Sequence, residues 1–183
     1  MEDILMKKYC ALFLCFLLLL PCLSATAADG IRVDIVYDDS MTVSTCYPEG
    51  YTVESFVENG ILGAVFAPED INRAEYMLII APDEEYPELE RLNDLSEAEL
   101  EAYAASVLED YNNPAVTRAK TSRGSLVFVV DESDSEYDEV MLLGIYRGFN
   151  MALYCYYEDG HTVADADIQT GLQIFSDMDL IYS

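Results

Sequence analysis

Val140-Met-Leu-Leu-Gly-Ile-Tyr146, then Arg147-Gly148-Phe149-Asn150, then Met151-Ala-Leu-Tyr-Cys-Tyr-Tyr157: two apolar runs flank a short turn. Each run has strand length and is rich in branched and aromatic residues. A strand with one wet face alternates polar and apolar positions, whereas these runs are nearly continuous. Continuous apolar character requires cover on both faces. The runs therefore read as a central hairpin, and the remaining elements must pack above and below it.

Working outward, Ile31–Tyr37 and Met41–Cys46 alternate around the turn Asp38-Asp39-Ser40 and read as an opening hairpin. Ile61–Phe66 follows the Asn59-Gly60 turn, and Tyr76–Ala81 is the next strand. An acidic connection with two prolines leads to Ser96-Glu-Ala-Glu99, the pattern of a capping box. Leu100, Tyr103, Ala104, Val107, Leu108 and Tyr111 then make one apolar stripe at helical spacing, stopped by Asn112-Asn113-Pro114. Ala115–Ser122 and Ser125–Asp131 are strands around Arg123-Gly124. After the central hairpin, Thr162 is placed to cap a last helix whose apolar side is Ile168, Leu172 and Phe175. Strands joined by short turns pair antiparallel, because parallel pairing needs long crossovers. The expected fold class is α+β, an antiparallel sheet with helices packed on its faces.

Three features give a resemblance to a known group. They are the strand running into Cys46-Tyr47-Pro48-Glu49-Gly50-Tyr51, the Ser122-Arg123-Gly124 turn before an apolar strand, and the long hairpin leading into a C-terminal helix. In these the chain resembles the PsbP/Mog1-like fold group over most of Ile31 to Ile181. The resemblance implies an α/β/α sandwich and a non-enzymatic binding or assembly role, with no functional residue carried over.

The N-terminus reads as a leader. Lys7 and Lys8 precede an apolar segment, Tyr9 to Leu20, and Ala25-Thr26-Ala27 fits a cleavage site. Residues 1–27 are thus expected to be a secretory signal peptide and residues 28–183 a single domain, secreted or extracytoplasmic, without stable membrane insertion after cleavage. The formal net charge is −26, and cleavage leaves it unchanged because the leader holds two lysines and two acids. Such a charge repels nucleic acid and anionic membranes, and favours cations or basic partners. Three of the five cysteines lie in the leader, leaving Cys46 and Cys155 as a candidate disulfide in an oxidising compartment.

Candidate chemistry is sparse. The single histidine, His161, has no nucleophile elbow or metal motif to accompany it. Asp131, Asp134, Glu136 and Asp138 crowd one loop with the oxygen ligands calcium takes, but no glycine holds the turn position of an EF-hand. A solvated acidic loop is the plainer account, and calcium is the one cofactor these acids bring into question. Arg118, Lys120 and Arg123 cluster within six positions. They suit either a charge-blunted edge strand or a site for a carboxylate ligand. Tyr154 and Tyr156 fall on one side of their strand and suit either core packing or a ligand platform. The resulting expectation is a secreted or envelope-associated, non-enzymatic binding or assembly module with an unknown protein or envelope component as partner. The alternatives are a carboxylate-based envelope hydrolase and an acidic calcium-responsive protein.

Overall fold

A computed structural model describes residues 30–108, 114–131, 139–157 and 161–183. The expected leader and three of the calcium candidates, Asp134, Glu136 and Asp138, lie outside these residues. In chain order the elements are β1 (Ile31–Val36), β2 (Met41–Tyr47), β3 (Tyr51–Glu58), β4 (Ile61–Pro68), β5 (Glu75–Pro82), α1 (Glu97–Val107), β6 (Ala115–Lys120), β7 (Leu126–Asp131), β8 (Val140–Tyr146), β9 (Phe149–Tyr156), α2 (Asp165–Asp177) and β10 (Asp179–Tyr182). A single 3-10 turn, Leu92–Asp94, precedes α1.

Two antiparallel sheets result. A small one has the order β1-β2-β10, and a large one the order β3-β4-β5-β9-β8-β7-β6. This overturns the expected α/β/α sandwich. About half of the described residues are in strands, the two helices are short, and neither forms a layer over a sheet face. The physical reason lies in β10. It pairs with β2 rather than joining the central sheet, so the chain's two ends build a separate sheet. The fold is mainly β.

The central hairpin occupies the middle of the large sheet. Its turn holds two residues, Arg147 (φ 51°) and Gly148 (φ 74°), with Tyr146 paired to Phe149, so it is tighter than the expected four-residue turn. Positive φ at both positions suits the right-handed twist of the flanking strands. Every residue from Val140 to Ile145 is buried. On one face Leu142, Leu153, Tyr76 and Leu78 share a core with Val43 of β2, Leu180 of β10 and Phe175 of α2. On the other, Phe128, Val130, Met141 and Leu143 meet Leu92 and the α1 residues Leu100 and Tyr103.

Local signals explain the helix starts. Ser96 Oγ accepts from Glu99 N–H and a Glu99 carboxylate oxygen accepts from Ser96 N–H, so the capping box forms. The last helix starts two residues later than expected. Its N-cap is Ala164, whose N–H donates to Asp167 Oδ2 at 2.9 Å, and Thr162 is not the cap. Thr45 Oγ1 of β2 donates to Ile174 O at 2.8 Å, a buried bond that ties α2 to the small sheet. Among the described residues no helix is long and apolar enough to cross a membrane.

Candidate functional site

A concavity lies where β2 runs out against α2. Gln169, Gln173 and Asp177 recur every fourth residue along α2, so they stand on one helix face. That face forms one wall of a groove of about 410 Å³, and Cys46, Tyr47 and Pro48 form the other. Ile174 supplies apolar surface between them. Arg73, from the β4–β5 connection, brings the one cation among the lining residues.

Arg73, Gln173 and Asp177 are held by identifiable contacts. Asp70 Oδ1 accepts from the backbone and side-chain N–H of Asn72, which shapes the turn that delivers Arg73. Arg73 Nη1 donates to Glu49 O at 2.8 Å, and its guanidinium lies 4.3 Å from the Tyr51 ring centroid. This is a cation–π geometry that fixes the charge at the groove mouth. Burial raises the Tyr51 hydroxyl above its ordinary value, against the opposing pull of Arg73. Gln173 Nε2 donates to Asp177 Oδ2 at 2.8 Å. The amide oxygen of Gln173 faces no partner among the described hydrogen bonds, and amides both donate and accept. A groove with amides, a hydroxyl, one cation and one carboxylate is equipped to hold a small polar ligand by hydrogen bonds. Its volume falls within the ordinary range for small-molecule sites.

The sequence candidates are scattered. Arg118 lies on the edge strand β6, ion-paired to Glu97 at 2.6 Å and 5.6 Å from the Phe128 ring centroid. Lys120 is exposed on the same strand, and Arg123 sits in the β6–β7 turn. Tyr154 and Tyr156 do share a face of β9. That face is also the one Arg118 occupies, but β8 and β7 separate β9 from β6, so the basic and tyrosine groups form no single site. Tyr154 packs against the second core, and the Tyr156 hydroxyl donates to Glu75. Asp131 ends β7 half-buried. Among the described residues no three His, Cys, Asp or Glu side chains are grouped to hold a metal. Cys46 and Cys155 are free thiols, the first in the groove wall and the second buried in β9, so no bridge joins them in the structure. His161 lies edge-on to Tyr157, 5.9 Å between ring centroids.

Of the groove residues only Cys46 was among the sequence candidates, as a disulfide partner and not as a ligand contact. The fourfold spacing of Gln169, Gln173 and Asp177 was available as a polar helix face. Nothing local marked Arg73, whose place depends on the path of the β4–β5 connection. No protein-family model matches the chain, and no curated protein matches it.

Proposed function

We propose that the protein is an exported, non-enzymatic binding module, and that the β2–α2 groove is its ligand site. The observation that carries this reading is the polar lining of that groove: side-chain amides of α2 face a cation held in place by Glu49 and Tyr51. These groups recognise and orient a ligand. The leader supports export, and an extracytoplasmic setting is where a chain this acidic would meet small polar solutes or basic envelope components.

The test is a thermal-shift screen of sugars, amino acids and dicarboxylates at about 1 mM, a concentration matched to weak solute binding. Wild type is compared with Gln173→Ala, which removes a groove amide and leaves the core alone. A compound that raises the wild-type midpoint and not the variant's supports the groove. Equal shifts in both, or none in either, reject it. Export is checked separately by N-terminal sequencing of the secreted product, expected to begin at Ala28.

A further inference from the structure

We propose that β3 is a docking edge to which a partner protein adds an extended, basic segment as a further strand. The inference rests on backbone geometry and charge at the far end of the large sheet, and it is independent of the groove.

β3 is a terminal strand, paired only with β4. The hairpin turn Asn59-Gly60 has both φ angles positive, so Glu58 and Ile61 flank it as a bonded pair. At the other end Glu69 N–H donates to Gly50 O at 2.8 Å. Bonded pairs alternate along an antiparallel ladder, so Thr52, Glu54, Phe56 and Glu58 face β4. The N–H and C=O groups of Val53, Ser55 and Val57 therefore point outward, and no described residue bonds them.

Natural sheet edges are usually blunted by lysine, proline or a covering element. The opposite edge follows that rule, with Arg118 and Lys120 on β6. β3 carries no lysine, arginine or proline. It instead exposes apolar surface on both faces: Phe56 is 51 % and Val57 45 % accessible. The Phe56 ring lies flat across Gly63, where an added Cβ would come within 2.2 Å of Phe56 Cζ. Glycine at that position keeps the aromatic spread over the sheet surface beside the edge.

The charge selects the occupant. Glu54 and Glu58 flank Phe56 on the same face and are both exposed. A partner strand reading basic-x-apolar-x-basic sets its cations opposite Glu54 and Glu58 and its apolar residue opposite Phe56. Main-chain bonds to Val53, Ser55 and Val57 supply affinity, and the alternating side chains supply selectivity.

The test uses a fluorescein-labelled Thr-Lys-Thr-Val-Thr-Lys-Thr peptide and the purified protein, read by fluorescence anisotropy. A peptide with glutamate in place of both lysines is the control. Saturable binding of the lysine peptide alone is expected. Ser55→Pro removes an outward donor that the fold does not use, a place where an edge strand tolerates proline. It should weaken binding about tenfold or more, the equivalent of losing one or two good bonds. Glu54→Lys with Glu58→Lys, both surface changes, should weaken it at least as much, and this pair decides the matter if Ser55→Pro does not fold. Gln173→Ala should bind as wild type, which separates this edge from the groove. Absence of saturable binding up to about 1 mM peptide, or equal binding by wild type and the Glu54→Lys, Glu58→Lys variant, overturns the proposal. So does a wild-type dimer that the Ser55→Pro variant loses, with no peptide bound, because a second copy would then occupy the edge.

Discussion

At the residue scale, Asp167 links three elements. Its carboxylate accepts from Ala164 N–H at 2.9 Å and from the Tyr157 hydroxyl at 3.1 Å, while its carbonyl accepts from the Tyr76 hydroxyl at 3.1 Å. Around it the acidic protons are held. Burial first, and then the charge of Asp167, pushes the Cys155 thiol up to about 12 from 9.0. Burial, followed by the Asp167 hydrogen bond and charge, pushes the Tyr157 hydroxyl up to about 12 from 10.0. The folded state thus keeps these protons to higher pH than the unfolded chain does. Stability from them is complete below pH 9 and is lost as pH rises from about 9 to about 12. Urea midpoints measured at pH 8 and at pH 11 should fall accordingly, and a flat profile would refute the shifts. Thiol reactivity gives a second check. With iodoacetamide at pH 8, peptide mass mapping should find Cys46 modified in the native protein and Cys155 only after denaturation, since the thiolate is the reactive form. The two cysteines also show what sequence leaves open. Both lie in apolar strand patterns, and only the tertiary arrangement assigns one to the groove wall and the other to the core of the large sheet. Whether two side chains meet depends on Cα separation and direction, which spacing along the chain does not contain.

At the element scale, turns make the sharpest predictions. Gly148 and Gly124 both have positive φ, 74° and 80°. An added Cβ at Gly148 would stand 2.0 Å from Pro87 O, whereas at Gly124 nothing lies within 4 Å. Gly124→Ala should therefore cost about 1 kcal/mol, the left-handed backbone penalty alone. Gly148→Ala adds displacement of backbone that also accepts and donates across this turn, where Asp83 N–H donates to Gly148 O. Its cost should be about 3 kcal/mol, read from urea unfolding. Nearly equal losses would mean that the Pro87 segment yields freely. Helix α1 offers a gentler test: Ser96→Ala removes the acceptor for Glu99 N–H and should cost about 1 kcal/mol. The elements most legible in the sequence were those with strong local patterns. The capping box announced α1, and the unbroken apolar runs announced β8 and β9. β3 and β10 went unread. β3 mixes polar and apolar residues and is exposed along most of its length because it forms an edge, and β10 has four residues, two of them exposed. Neither has the two-residue periodicity that burial on one face imposes.

At the scale of the whole molecule, the fold class turned on pairing that no local pattern states. The sequence shows two helices and many strands, which suit one sheet covered by helices as well as two sheets. The choice is made by Leu180 meeting Val43 across the length of the chain. Charge, by contrast, is fully legible and makes the last prediction. With a net charge of −26 and nine basic residues, the acids largely repel one another. The described ion pairs, Arg32–Asp34, Arg118–Glu97 and Arg147–Glu90, are all solvent-accessible and so contribute little. Self-repulsion is a long-range term that salt screens, with a Debye length of about 30 Å at 0.01 M and about 8 Å at 0.15 M. The melting temperature should therefore rise as sodium chloride increases over that range. Binding of a lysine-bearing peptide at β3 should move the opposite way, because the same screening weakens attraction between Glu54, Glu58 and the incoming cations. Opposite salt slopes for folding and for peptide binding, measured on one preparation, would trace both to the same acidic surface. Peptide binding that strengthened with salt would instead assign the affinity to the apolar contacts of Phe56 and Val57, and Phe56→Ala would then be the variant that abolishes it.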